Sequence, residues 1–114
     1  MKKIILWGTG RNAKSAFYKL KDQFEILYFV SDNSMLCKTG MLGIEIISLE
    51  KLAKIYCSEI DIIVCSKDYF RMSAQLIEMG ITDYYVMLEG FLYHTGKSET
   101  MMPVELNNDS YFRK

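Results

Sequence analysis

The sequence predicts a three-layer α/β fold on a five-stranded, mostly parallel sheet of order 3-2-1-4-5. Three observations carry that expectation. Short apolar runs alternate with segments of helical period, which calls for parallel pairing through right-handed crossovers. The first run, Ile4 to Trp7, stops at Gly8-Thr9-Gly10, and a helical pattern of Ala13, Ala16, Phe17 and Leu20 starts at once. The later runs are continuous in apolar character, as in strands buried on both faces.

The first strand, turn and helix fit G-x-G-x-x-[GA], with Ala13 as the small third residue that lets the helix pack closely on the sheet. Gly8 allows the tight turn. Gly10 lets backbone N–H groups approach a phosphate at the positive end of the helix. After a polar break at Lys19 to Gln23, Phe24 to Val30 reads as the second strand. Ser31-Asp32-Asn33-Ser34 supplies turn chemistry, and Met35 to Gly43 reads as a loop. Asp32 lies 22 residues beyond Gly10, near the spacing of a ribose-binding carboxylate, and is equally suited to open a turn before Asn33.

Ile44 to Ile47 forms the third strand, and Ser48 caps a helix over Leu49 to Tyr56 that presents Leu49, Leu52 and Ala53. The fourth strand runs from Asp61 to Cys65. A helix from Tyr69 to Met79 follows, with Phe70, Ala74, Leu76 and Ile77 as its apolar set and Gly80 as its C-terminal cap. Tyr84 to Leu88 is the fifth strand. In the expected order, Gly8 to Asn12, Ser31 to Asn33 and Cys65 to Lys67 converge beyond the C-terminal ends of strands 1 and 4, where ligands of open α/β sheets sit. The candidate binding residues are Gly8, Thr9, Gly10, Arg11, Asn12, Ser31, Asp32, Asn33, Ser66 and Lys67. Arg11 could meet a diphosphate bidentately or stand as a solvated first-turn arginine, and Lys67 also suits an ordinary surface.

Composition limits the alternatives. A chain of 114 residues is one domain, too small for a cofactor domain beside a substrate domain. We expect residues 1–88 to form the binding domain and 89–114 to be a C-terminal extension or linker. Fourteen basic residues balance fourteen acidic ones, which gives no reason to expect nucleic acid. No apolar run approaches the ~20 residues of a membrane span, and no signal-length apolar segment follows Lys2 and Lys3, so a cytoplasmic location is expected. Cys37, Cys57 and Cys65 lack C-x-x-C spacing and read as reduced thiols rather than metal ligands. His94 is the sole histidine, in the tail and away from the crevice, and no catalytic residue is assigned. Tyr93 and Lys97 make Y-x-x-x-K, but Gly96 would interrupt the helix that pair requires.

The segments IILWGTGRNAKSAFYKL, FVSDN, GIEIISLEKL, DIIVCSKDY and QLIEMGI, in this order, resemble the small Rossmann-like domain of bacterial surface-polysaccharide enzymes. Such domains precede the left-handed helix of sialic-acid and bacillosamine-type sugar acetyltransferases. They also occur in capsule-type nucleotide-sugar dehydratases. The resemblance covers about Lys2 to Leu88. It implies that Gly8, Thr9 and Gly10, with Asp32 and Asn33, hold the uridine nucleotide of a sugar substrate while chemistry occurs in another domain. Gly10-Arg11-Asn12 stands where the acetyltransferases continue Gly-Gly-His, and no hexapeptide repeat follows Leu88. The expected function is a binding module for a nucleotide sugar, working with a catalytic partner domain or chain. One alternative is an NAD-binding half of an oxidoreductase or epimerase. The other is an interaction module that has kept the fold, lost its ligand and pairs through its exposed edge or tail, for example as a homodimer.

Overall fold

The computed structural model describes residues 1–37, 39–88 and 90–95, and the backbone of 102–104. Its elements are β1 (Lys2–Trp7), α1 (Arg11–Leu20), β2 (Phe24–Val30), β3 (Gly40–Met41), β4 (Ile44–Ile47), α2 (Leu49–Ile55), β5 (Ile60–Val64), α3 (Tyr69–Glu78), β6 (Tyr84–Leu88), β7 (Phe91–Thr95) and β8 (Met102–Val104). One sheet runs in the order β3-β4-β2-β1-β5-β6-β7-β8. The five expected strands are its parallel centre, β4-β2-β1-β5-β6.

The sheet departs from the expected five strands by three antiparallel additions. β3 pairs with β4 at one edge, and β7 and β8 extend the other beyond β6. Within the presumed Met35 to Gly43 loop, Leu42 and Gly43 both adopt positive φ, 55° and 80°. That pair closes a two-residue hairpin whose twist matches the strands it joins. At the other edge Gly90, φ 86°, lets the chain reverse into the aromatic and β-branched run Phe91–Thr95. Gly96 and Lys97 lie outside the described residues. Tyr93 is on a strand.

Alternation along the strands divides the core in two. Ile4, Leu6, Phe29, Ile63, Tyr85 and Met87 face α1, which contributes Ala13, Ala16 and Leu20. Ile5, Trp7, Val30, Ile47, Ile62, Val64 and Val86 face α2 and α3, which contribute Leu52, Met72 and Leu76. The result is a helix, sheet, helix sandwich. The outer helices differ from expectation in phase. In α3 the buried residues are Met72 and Leu76, whereas Phe70 is 77% and Ile77 54% exposed. Ala53 of α2 is also exposed. Such short helices hold too few apolar positions for spacing alone to define the inward face, and contact with the sheet selects it. Both expected caps form: Ser48 accepts a hydrogen bond from the Lys51 N–H, and Gly80 stands beyond α3 at φ 85°.

β2 is less buried than its composition suggests, because Glu25 is exposed and Leu27 and Tyr28 are half-buried. Its pairing with β1 slips between Ile4 and Ile5, which brings Phe29 and Val30 level with Leu6 and Trp7.

At the opposite end from the glycine turn, Asp61 pairs with Lys2 at 3.6 Å. Burial raises the Asp61 carboxyl above the usual carboxylate range, and the Lys2 ammonium offsets this in part. The folded chain therefore takes up this proton at a higher pH than the unfolded chain does. For this group, stability rises as pH falls through the folded value toward the ordinary one. Asp61→Asn should consequently stabilise the protein most at neutral pH, with the gain shrinking between those two values. Urea midpoints for both proteins across pH 4 to 7 test this, and a pH-independent difference would contradict it.

Candidate functional site

β1 delivers the glycine turn to the C-terminal edge of the sheet, and hydrogen bonds between strand ends fix it there. The Gly8 N–H donates to the Val30 carbonyl at 3.0 Å, the Ser31 N–H to Ile47 at 3.0 Å, and the Cys65 N–H to Trp7 at 2.9 Å. The loops after β1, β2 and β5 are thereby held side by side. Between them lies a crevice of about 760 Å3, within the usual size range of small-ligand sites.

Of the sequence-assigned residues, Gly8, Thr9, Gly10, Arg11, Asn12, Ser31, Asp32, Ser66 and Lys67 all line this crevice. Asn33 does not. Its N–H donates to Ser31 Oγ at 3.0 Å, and its Oδ1 accepts from the Met35 N–H at 2.9 Å. The side chain is thus committed to the turn, the local role open to Asn in such a sequence. Ser66 acts similarly through Oγ, which accepts from the Asp68 N–H at 3.1 Å.

The two glycines of the turn differ in kind. Gly8 has φ 141°, and a Cβ there would lie 2.7 Å from the Cys65 carbonyl oxygen. The fold itself demands glycine at that position. Gly10 has φ −93° and ψ −159°, an ordinary extended conformation, and a Cβ there would meet nothing within 4 Å. Neither backbone nor packing requires glycine at 10. It is also the N-cap of α1, makes no side-chain cap bond, and precedes a first turn with no acidic residue. The leading N–H groups and the positive end of the helix dipole are therefore open to the crevice.

Charge follows the same bias. Among the described residues, Arg11, Lys67 and Arg71 line the crevice with a single carboxylate, Asp32. Arg71 is the residue sequence reasoning missed. From the first turn of α3 its Nη1 donates to Asp32 Oδ2 at 3.0 Å and to Gln75 Oε1 at 3.1 Å, while Nε pairs with Asp68. Hydrogen bonds to Asp68 and then Asp32 raise its pKa further. Asp68 and Arg71, three residues apart at a helix start, were a visible local signal. The bridge to Asp32, 39 residues away in sequence, was not. Arg11 and Lys67 make no ion pair among the described residues.

Trp7, Val30, Cys65 and Met72 complete the walls. Cys65 is 2% exposed, and burial pushes its thiol pKa up, which favours the neutral thiol over the nucleophilic thiolate. His94 is remote from the crevice, on β7, bonded to Asp83 and stacked on Tyr85 at 4.7 Å.

A doubly wound sheet with a parallel centre and a glycine turn leading into the first helix defines a Rossmann-like domain. Residues 1–87 match the family model described as C2185-like, N-terminal, and the chain belongs to that family. A search of curated proteins gives no match. Among solved structures, the chain is similar to UDP-D-quinovosamine 4-dehydrogenase from Vibrio fischeri, with a TM-score of 0.65 and 19% identity over 86% of this chain and 96% of that one. It is also similar to RSP, a Rex-family repressor, with a TM-score of 0.56 and 21% identity over 78% of this chain and 46% of that one. RSP has been solved with β-NADH, and with β-NAD+ and operator DNA. At these identities the likeness concerns the fold. No helix among the described residues is long and apolar enough to cross a membrane.

Proposed function

We propose that the chain is a nucleotide-binding module that takes a nucleotide sugar in bacterial surface-glycan synthesis, and that it binds rather than catalyses. Residues 1–88 are the binding unit and 89–114 an extension. The observation that carries this reading is Gly10, whose missing side chain serves neither backbone nor packing and leaves the helix end clear. The diphosphate would lie against the N–H groups that follow Gly10, with Arg11 and Lys67 supplying positive charge and Asp32 holding the ribose. Binding would also disturb the Asp32 to Arg71 pair, an exposed contact of small intrinsic strength. A catalytic step would come from a partner domain or chain, since among the described residues the crevice presents no activated nucleophile and no histidine.

The second reading is NAD. The spacing of Asp32 favours it, and the similar fold of RSP, solved with NAD, is compatible with it. A thermal-shift screen against UDP, UDP-N-acetylglucosamine, NAD, NADP and coenzyme A separates the two. A ligand at 100 times its Kd adds about 2.7 kcal/mol, which moves the midpoint of a domain this size by roughly 10 °C. A shift with uridine nucleotides alone supports the first reading, and one with NAD alone replaces it by the second. No shift with any of them leaves the fold as an interaction module.

A further inference from the structure

A second cavity of about 260 Å3, lined by Asn12, Ser15, Lys19, Met87 and Gly90, lies beside the crevice. Asn12 lines both, so the two spaces share a wall at the first turn of α1. We propose that this second cavity is a glycosyl subsite, which takes the hexose of a nucleotide sugar whose diphosphate lies at Gly10. The inference rests on the nucleotide-sugar reading above and adds to it where the sugar is held and by which residues.

Direction along the sheet is the first support. Asp32 follows β2, and Met87 and Gly90 belong to the end of β6 and its turn, on opposite sides of β1 in the strand order. A ligand that places its ribose at Asp32 and its phosphates at Gly10 therefore directs its far end toward β6. The smaller cavity stands there.

Chemistry is the second support. Asn12, Ser15 and Lys19 stand on one face of α1 at positions i, i+3 and i+7, and their Cα atoms span about 10 Å of helix axis. They offer an amide, a hydroxyl and an ammonium group, a mixed set of donors and acceptors suited to ring hydroxyls. None of the three side chains makes a hydrogen bond or ion pair among the described residues. Met87 supplies an apolar wall for the C–H face of a pyranose. Gly90 lines the cavity without a side chain, close to Lys19 Nζ. Among the described residues, a nicotinamide ring would find three polar side chains and no aromatic partner in the same space.

Calorimetric titration of the full chain with UDP, UDP-N-acetylglucosamine and NAD tests the subsite, using wild type and the double variant Ser15→Ala/Lys19→Met. Both positions are exposed on α1, and unchanged thermal midpoints will verify folding. Wild type should bind UDP-N-acetylglucosamine at least about tenfold more tightly than UDP. The variant should keep its affinity for UDP and lose that preference. A preference retained in the variant, or absent from wild type, overturns the subsite while leaving nucleotide binding in place. Failure of wild type to bind UDP overturns both. Weakened NAD binding with UDP-N-acetylglucosamine unaffected would assign the cavity to a nicotinamide half instead. Ser15→Phe, which fills the cavity, should reproduce the double variant, and an unaltered sugar preference in it would also overturn the assignment.

Discussion

Gly10→Asp is expected to abolish nucleotide binding while leaving the protein as stable as wild type or slightly more so. The position is the N-cap of α1, in extended backbone that aspartate adopts freely, with room for its side chain. Aspartate caps a helix better than glycine by a few tenths of a kcal/mol, and its charge adds about 0.3 to 1 kcal/mol at the positive helix end. The same carboxylate would accept the N–H groups assigned to the diphosphate and repel it. Loss of two charge-assisted hydrogen bonds, at about 1.5 to 3 kcal/mol each, weakens binding by about 100-fold or more. Paired measurements of the thermal midpoint and of UDP affinity decide the matter. Binding that survives the substitution removes the phosphate from the α1 terminus, and with it the carrying observation of the proposed function.

Gly8→Ala, two residues earlier, should do the reverse and unfold much of the population under mild denaturation. A positive φ of this kind costs a side chain about 1 to 3 kcal/mol. The new Cβ would also press on the Cys65 carbonyl at 2.7 Å. That oxygen belongs to the backbone, so relief requires moving the end of β5 away from β1, an overpacking cost of about 1 to 3 kcal/mol more. Against a total stability of about 5 to 15 kcal/mol, the midpoint should fall by roughly 10 °C or more. Guanidinium unfolding with an unchanged m-value will separate this loss from a change in mechanism. A variant of wild-type stability would mean that the turn can relax in a way its close contacts do not suggest.

The contrast between these glycines marks how far the sequence could be read. G-x-G-x-x-A declared the turn, and its place between a strand and a helix declared the edge of the sheet. Which glycine served the fold, and which left space for a ligand, depended on Cys65, a residue more than fifty positions away in the chain. The place of Asp32 at the crevice was legible by spacing, because a strand and a crossover helix need a nearly constant number of residues. Asn33 was equally legible as a polar residue at a strand end. Its assignment to the turn rather than the crevice required the orientation of two side-chain atoms.

By itself the sequence determined the alternation of elements, the relative order of the central strands and the three loops that meet beyond them. These follow from local rules: apolar continuity, helical period and the handedness of crossovers act within some thirty residues. Only the tertiary structure decided the edge strands, the inward faces of α2 and α3, and the Arg71 bridge across the crevice. Edge pairing depends on backbone groups left open by a neighbouring strand. The phase of a short helix depends on the surface it meets. An ion pair between residues 39 apart depends on two loops that the sheet alone holds together. Those contacts carry no local pattern, so folding had to place them.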